Sequence, residues 1–189
     1  MAERLNSRFN NRPTNCAFSA AGRRRGSIAE IPLVIFALFL VFAFPMINLG
    51  TTALRHALFL TACRQGAFVA ASAYTFGNGT AEKPAAIDCG PAKVNSVVQK
   101  FSGITVKDVD VSIISVDLQN GTIKKFAGKL SEPADTGTYL YFIELTATAD
   151  IYPITEVKLP FLNVAGLSRK WTSTVSVREF VESPQGLDD

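Results

Sequence analysis

The sequence predicts an α+β protein: a long N-terminal transmembrane helix continuing as a rod, then a small, mainly antiparallel β-sheet head with one short helix. Three observations carry this. Ile31 to Leu49 reads IPLVIFALFLVFAFPMINL, in which Asn48 is the one strongly polar residue. After it, no strong breaker arrives until Gly77-Asn78-Gly79. From Tyr139 to Ile151 every odd-numbered residue is apolar, the period of a strand with one buried face.

The N-terminal 26 residues hold six arginines against Glu3, a charge of +5, while the whole chain of 189 residues is only +3. Residues 27–189 are therefore slightly acidic, and the basic pI of about 8.8 belongs to a leader, not to a fold. A nucleic-acid-binding domain needs a basic folded face, and none is expected here. With 48% apolar and 19% charged residues, the chain is also not a disordered one.

A bilayer core of about 30 Å takes about 20 apolar residues as helix, so Ile31–Leu49 is long enough to span. Arginines crowd before the span and Arg55 and Arg64 stand isolated after it, which places residues 1–26 in the cytoplasm and the C-terminal part outside. A cleaved secretory signal is the competing reading, disfavoured by the long leader and the missing helix break. As one helix, residues 27–76 would be about 75 Å long, longer than a membrane is thick. The outer half keeps an apolar stripe at Leu54, Leu58, Ala62, Phe68 and Ala71, and many small residues (Gly50, Ala53, Ala57, Gly66, Ala67, Ala70) that let helices approach closely. Pro45 should kink or loosen the span, whereas Pro32 sits where a missing N–H costs little.

In the head, Pro91 suits the first turn of a short helix over 91–102, where Val94, Val97, Val98 and Phe101 recur at helical spacing before Gly103. Val109, Val111 and Ile113 alternate, then the phase shifts to Ile114, Val116 and Leu118, which suggests a bulge. Asn120-Gly121 signals a hairpin into Thr122–Phe126. The strand at 139–151 follows, then an irregular excursion through Pro153 and Pro160-Phe161-Leu162, then a last strand from Trp171 to Val181. The expected assembly is a sheet of three to five strands packed on the short helix and the outer end of the rod. Asn78-Gly79-Thr80 and Asn120-Gly121-Thr122 match the glycosylation pattern but read as turns.

The junction Arg23-Arg24-Arg25-Gly26-Ser27-Ile28-Ala29-Glu30, running into the apolar helix, resembles the prepilin-peptidase site of type IV pilins and pseudopilins. The whole pattern is similar to the TadE/TadG-like minor pseudopilins of tight-adherence (Tad) pilus systems. That resemblance covers residues 23–76 by motif and the head by pattern. It implies cleavage after Gly26, a new N-terminus at Ser27, and an assembly role for Glu30, whose carboxylate inside a bilayer calls for a partner such as a neighbour's α-amino group. It implies as partners the lipid bilayer, other pilin or pseudopilin subunits and a prepilin peptidase, in a bacterial cytoplasmic membrane. One departure is plain: the family's glutamate is usually fifth after the glycine, whereas Glu30 is fourth after Gly26.

Cys63 and Cys89 both fall outside the membrane in this topology, where a disulfide could staple head to rod; small apolar packing serves as well for each. His56 is the single histidine, so neither a metal site nor a catalytic triad is expected. Asp108, Asp110, Glu144 and Glu179 read as solvent-facing or edge acids, and no phosphate-binding loop, cofactor or enzymatic motif is present. The domain expectation is a leader at 1–26, a span and rod at 27–76 and a head at 77–189. Two functions compete: a pseudopilin-like structural subunit, and an uncleaved single-pass anchor whose extracytoplasmic head is a binding module, with Arg23, Arg24 and Arg25 acting only as a topogenic signal. A secreted enzyme is the remote third.

Overall fold

A computed structural model describes residues 30–80, 83–155 and 164–189. Its elements are α1 (Glu30–Ala71), α2 (Ala86–Val98), β1 (Ile104–Asp117), β2 (Ile123–Phe126), β3 (Tyr139–Ile151), β4 (Trp171–Phe180) and a 3-10 turn at Pro184–Gly186. The α+β class is as read from the sequence: a long apolar N-terminal helix, a small antiparallel sheet and one further helix. The chain divides between Leu38 and Phe39. In the first unit, Ile31 to Leu38 are helical with exposed side chains. The second unit, Phe39–Asp189, holds the rest of α1, α2, the four strands and the 3-10 turn.

The sheet has the order β2-β1-β3-β4, antiparallel throughout. Its long central pair runs from Ile104 opposite Ile151 to Asp117 opposite Tyr139. The β1–β2 hairpin turns at Asn120-Gly121, with Gly121 at φ +69°. There the Asp117 carboxylate accepts from the Gln119 amide at 2.8 Å, and the Asn120 side chain accepts from the Thr122 amide at 2.9 Å. The odd residues of β3 face inward as predicted: Ile143, Leu145, Ala147 and Ala149 are fully buried. Burying each of the larger ones stabilises the fold by about 1.5–3 kcal/mol.

The bulge is not where the phase shift suggested. The register slips between Val106 and Asp108, while Ile113 and Ile114 pair in unbroken succession with Ile143 and Phe142. Ile114 and Val116 therefore point to the opposite face of the sheet from Ile113. Ile114 is nonetheless buried, because Phe142 and Phe180 stand in the same register row and meet edge-on at 5.8 Å. Two apolar faces, not a bulge, explain the sequence pattern.

Along α1 the buried positions are Asn48, Thr52, Phe59, Ala62, Cys63, Gly66, Ala67, Ala70 and Ala71, one stripe at helical spacing. From Phe59 onward they join the inner face of the sheet in one core with Val94 and Val98 of α2. This corrects the predicted stripe in part: Ala62 and Ala71 are inward, but Leu54 and Phe68 are exposed. Small residues lie under the sheet because they allow close approach. A Cβ built on Gly66 would lie 2.5 Å from Val94 Cγ2 and 3.0 Å from the Gly90 carbonyl, and one on Gly90 would lie 3.1 Å from Ala70 Cβ.

The short helix starts five residues earlier than expected, at Ala86, and ends at Val98, leaving Pro91 inside it. Its first amides are satisfied from outside, Ala86 N–H donating to Thr75 O at 2.9 Å and Ile87 N–H to Phe76 O at 3.2 Å. The C-terminal segment ties down the same corner. Phe76 N–H donates to Gly186 O at 2.9 Å, Gly77 N–H to Asp189 O at 3.0 Å and Leu130 N–H to Leu187 O at 2.8 Å.

Candidate functional site

The candidate site is α1 itself, because its two ends have opposite surroundings. Among the described residues, Ile31–Ala71 is a helix long and apolar enough to cross a membrane. Within the second unit, Phe39, Leu40, Val41, Phe42, Phe44, Met46 and Ile47 are exposed. Burial begins abruptly at Asn48, which is 1% exposed. Its side-chain amide donates to Thr155 O at 2.9 Å and accepts from the Thr155 amide at 3.3 Å, so a polar group that would be costly in hydrocarbon is fully satisfied.

One turn on, the Thr52 hydroxyl lies 2.9 Å from Asn48 O and 3.0 Å from Gly166 O, its proton shared between the two carbonyls. Gly166 takes φ +83° there, and a Cβ on it would sit 3.0 Å from Thr52 Cγ2. Arg55 donates to Tyr152 O and lies against Gly103, at φ +81° the other glycine this junction requires. His56 stacks on Trp171 with centroids 4.7 Å apart, and its Nε2 lies 3.0 Å from Ser173 Oγ. Asn48, Thr52, Arg55 and His56 thus clamp the helix to the segments before and after the irregular excursion. Sequence reading missed this clamp. The signal available was Asn48 itself, a polar residue at the end of an apolar run.

On the face turned away from the sheet, Gly50, Ala53, Leu54, Ala57, Thr61, Arg64, Gln65, Phe68 and Ser72 are exposed. Gly50 has nothing within 4 Å of a built Cβ. From Gly50 to Ala57 this stripe is small and apolar, and farther on it carries Arg64 and Gln65.

The outer sheet face holds two buried carboxylates, and here the solvent-facing reading of Glu144 is corrected. Glu144 is 6% exposed and Asp150 2%. Glu144 binds Arg178 Nε at 2.9 Å and Lys125; Asp150 accepts from Thr172 Oγ1 at 2.6 Å and pairs with Lys170 and with Lys107 at 3.1 Å. Between them Thr146 meets Ser176 at 2.9 Å and Thr148 meets Thr174 at 3.0 Å. The cations come from β2, β4, the residue just before β4 and the β1 bulge, which one-dimensional reading does not bring together. With all their partners in place, these acids serve structure more readily than proton transfer. Burial pushes the Glu144 carboxyl up, but hydrogen bonds from Lys125 and Arg178 outweigh it and hold the group below its ordinary 4.5. The hydrogen bonds from Lys170 and Thr172 hold Asp150 well below its ordinary 3.8.

Carboxyls that are more acidic folded than unfolded contribute stability that is complete above their ordinary values, and it is lost as pH falls through them. Thermal melting is expected to be nearly flat from neutral pH to about pH 5, then to drop steeply below pH 4. The doubly substituted Glu144→Gln, Asp150→Asn chain should melt lower at neutral pH with a flattened acid slope. An unchanged slope would contradict this role.

Of the residues singled out from sequence, Arg23, Arg24, Arg25, Gly26 and Ser27 lie outside the described residues, as does Pro160-Phe161-Leu162. Glu30 opens α1. Cys63 and Cys89 are both free. The Cys89 thiol lies 3.7 Å from the Val69 carbonyl, nearly two helical turns beyond Cys63 on α1. Burial pushes the Cys89 thiol up, away from the reactive thiolate. Among the described residues no cluster of histidine, cysteine and acid side chains is arranged to hold a metal ion. An open cleft of about 490 Å³ beside α1 is lined by Arg64, Gln65, Phe68, Val69, Lys93 and Glu179. Compared with protein-family models, with curated proteins and with solved structures, the chain matches none.

Proposed function

We propose that this protein is a pseudopilin-like structural subunit that crosses a bacterial cytoplasmic membrane once and assembles with other pilin-like subunits through α1. In this reading residues 1–26 are cytoplasmic, a prepilin peptidase cuts after Gly26, and the sheet domain is extracytoplasmic. The observation that carries it is the division of α1. Exposed apolar side chains run to Leu49, interrupted by the clamped Asn48, and beyond them the helix is covered by its own sheet on one face only. The other face keeps Gly50, Ala53, Leu54 and Ala57 open to a neighbour. A binding module on a permanent anchor needs the span but has no use for this second, helix-shaped face.

Site-specific photo-crosslinking in cells that express the full apparatus tests the packing. A photoreactive residue at Leu54 or Ala57 is expected to trap another pilin-like helix. The same residue at Thr174, on the outer sheet face, is expected to trap far less. Equal labelling, or a monomer at all three positions, would contradict assembly through α1.

A further inference from the structure

The segments that Asn48 and Thr52 hold against α1 are themselves partly apolar and exposed. Ile154, next to the Thr155 backbone that Asn48 binds on both its N–H and its carbonyl, is 57% exposed. Val164, two residues before the Gly166 carbonyl that Thr52 reaches, is 39% exposed. These side chains are therefore anchored at the level of α1 where its exposed apolar surface gives way to polar burial. Arg169 and Lys170 follow, both exposed, and Lys107 stands at the same end of the sheet on Asp150. Exposed aliphatic side chains beside cations, at the boundary of an apolar helix, match the interfacial zone of a phospholipid bilayer.

We infer that residues 152–155 and 164–170 form a collar resting on the surface of the membrane that α1 enters, with Ile154 and Val164 in its interfacial layer. This rests on the reading of α1 as a membrane span. The collar is continuous with the exposed apolar surface of Phe39–Leu49, and its net positive charge, Arg169 with Lys107 and Lys170 sharing the one Asp150 carboxylate, suits the acidic phospholipids of such a surface. It fixes how deep the helix sits and how close the sheet stands to the lipid. A subunit drawn from the bilayer would have to release this contact.

A tryptophan depth ladder tests the collar. The full chain is placed in vesicles of phosphatidylethanolamine and phosphatidylglycerol that contain phosphatidylcholine brominated near the carbonyl end or the methyl end of its acyl chains. Trp171, the chain's single tryptophan, stacks on His56, about 12 Å beyond Asn48 along the helix, and should be unquenched. In a Trp171→Phe background, Phe42→Trp should be quenched best by the deep bromines. Ile154→Trp and Val164→Trp should be quenched by the shallow bromines, about two-fold. Both collar positions are exposed, so either variant can stand in if the other fails to fold.

Phe42→Trp quenched while Ile154→Trp and Val164→Trp are insensitive at both depths would overturn the collar and leave the span intact. Phe42→Trp insensitive would overturn the span and the collar with it. Collar probes shielded from aqueous iodide yet untouched by bromine would point to a second copy of the chain and also overturn the lipid contact.

Discussion

Gly66→Leu is expected to abolish folding of the sheet domain, read as loss of the cooperative thermal transition and of protease resistance in the detergent-solubilised protein. The reason is geometric. A single Cβ at Gly66 already comes within 2.5 Å of Val94 Cγ2, 3.0 Å of the Gly90 carbonyl and 3.1 Å of Leu145 Cδ1. The Val94 side chain can rotate; the Gly90 backbone can yield only if α2 moves off α1. Overpacking by a methylene typically costs about 1–3 kcal/mol, and leucine adds a branched group three carbons larger than alanine at a backbone contact. Against a total stability of about 5–15 kcal/mol, the loss should be decisive. Gly66→Ala separates the terms, since better helix propensity returns about 1 kcal/mol while the contact is still too tight. It should melt lower but cooperatively. Gly50→Leu is the control, on the same helix with nothing within 4 Å of its Cβ. It should fold normally. If Gly66→Leu melted like the parent, the close crossing of α1 and α2 would be wrong.

The second large effect concerns assembly and not folding. Glu30→Ala is expected to leave membrane insertion intact while the subunit recovered in the assembled, sheared-off or crosslinked fraction falls at least tenfold. A carboxylate within an apolar helix costs about 2.5–3.5 kcal/mol at the bilayer centre on insertion scales, so its removal cannot weaken the anchor. On the proposed reading, what it removes is the partner for a neighbour's new α-amino group at Ser27. Glu30→Gln keeps the shape and loses the charge, and it should fail in the same way. If both variants assemble like the parent, Glu30 is an interfacial residue beside Arg23–Arg25 and the competing anchor reading gains.

Much of the fold was legible because its signals are local. The uninterrupted run through Phe36 and Phe42, the odd-numbered apolar residues from Tyr139 to Ile151 and the Asn120-Gly121 turn each declare one element without help from the rest of the chain. What could not be read depends on distant partners. The α2 helix reaches back to Ala86, past Pro91, because Thr75 and Phe76 supply acceptors to amides that would otherwise end it. Glu144 looks like a surface acid until β2 brings Lys125 and β4 brings Arg178. Ile114 looks like a register slip until Phe142 and Phe180 give it a second apolar face. On α1, helical periodicity named an apolar stripe, but the sheet selected the small-residue side, leaving Leu54 and Phe68 outside. The clamp of Asn48 on Thr155 joins residues 107 apart, a separation no local pattern spans.

The central claim is that the leader is removed so that α1 can pack into a fibre or secretion apparatus. Intact-mass analysis of the protein taken from membranes of cells with a cognate prepilin peptidase tests it most directly. A mature chain beginning at Ser27, abolished by a bulky Gly26 substitution, is the expected result. A chain that keeps Arg23, Arg24 and Arg25 on a Met1 N-terminus, with peptidase present and active on its other substrates, would contradict processing and leave a permanent single-pass anchor.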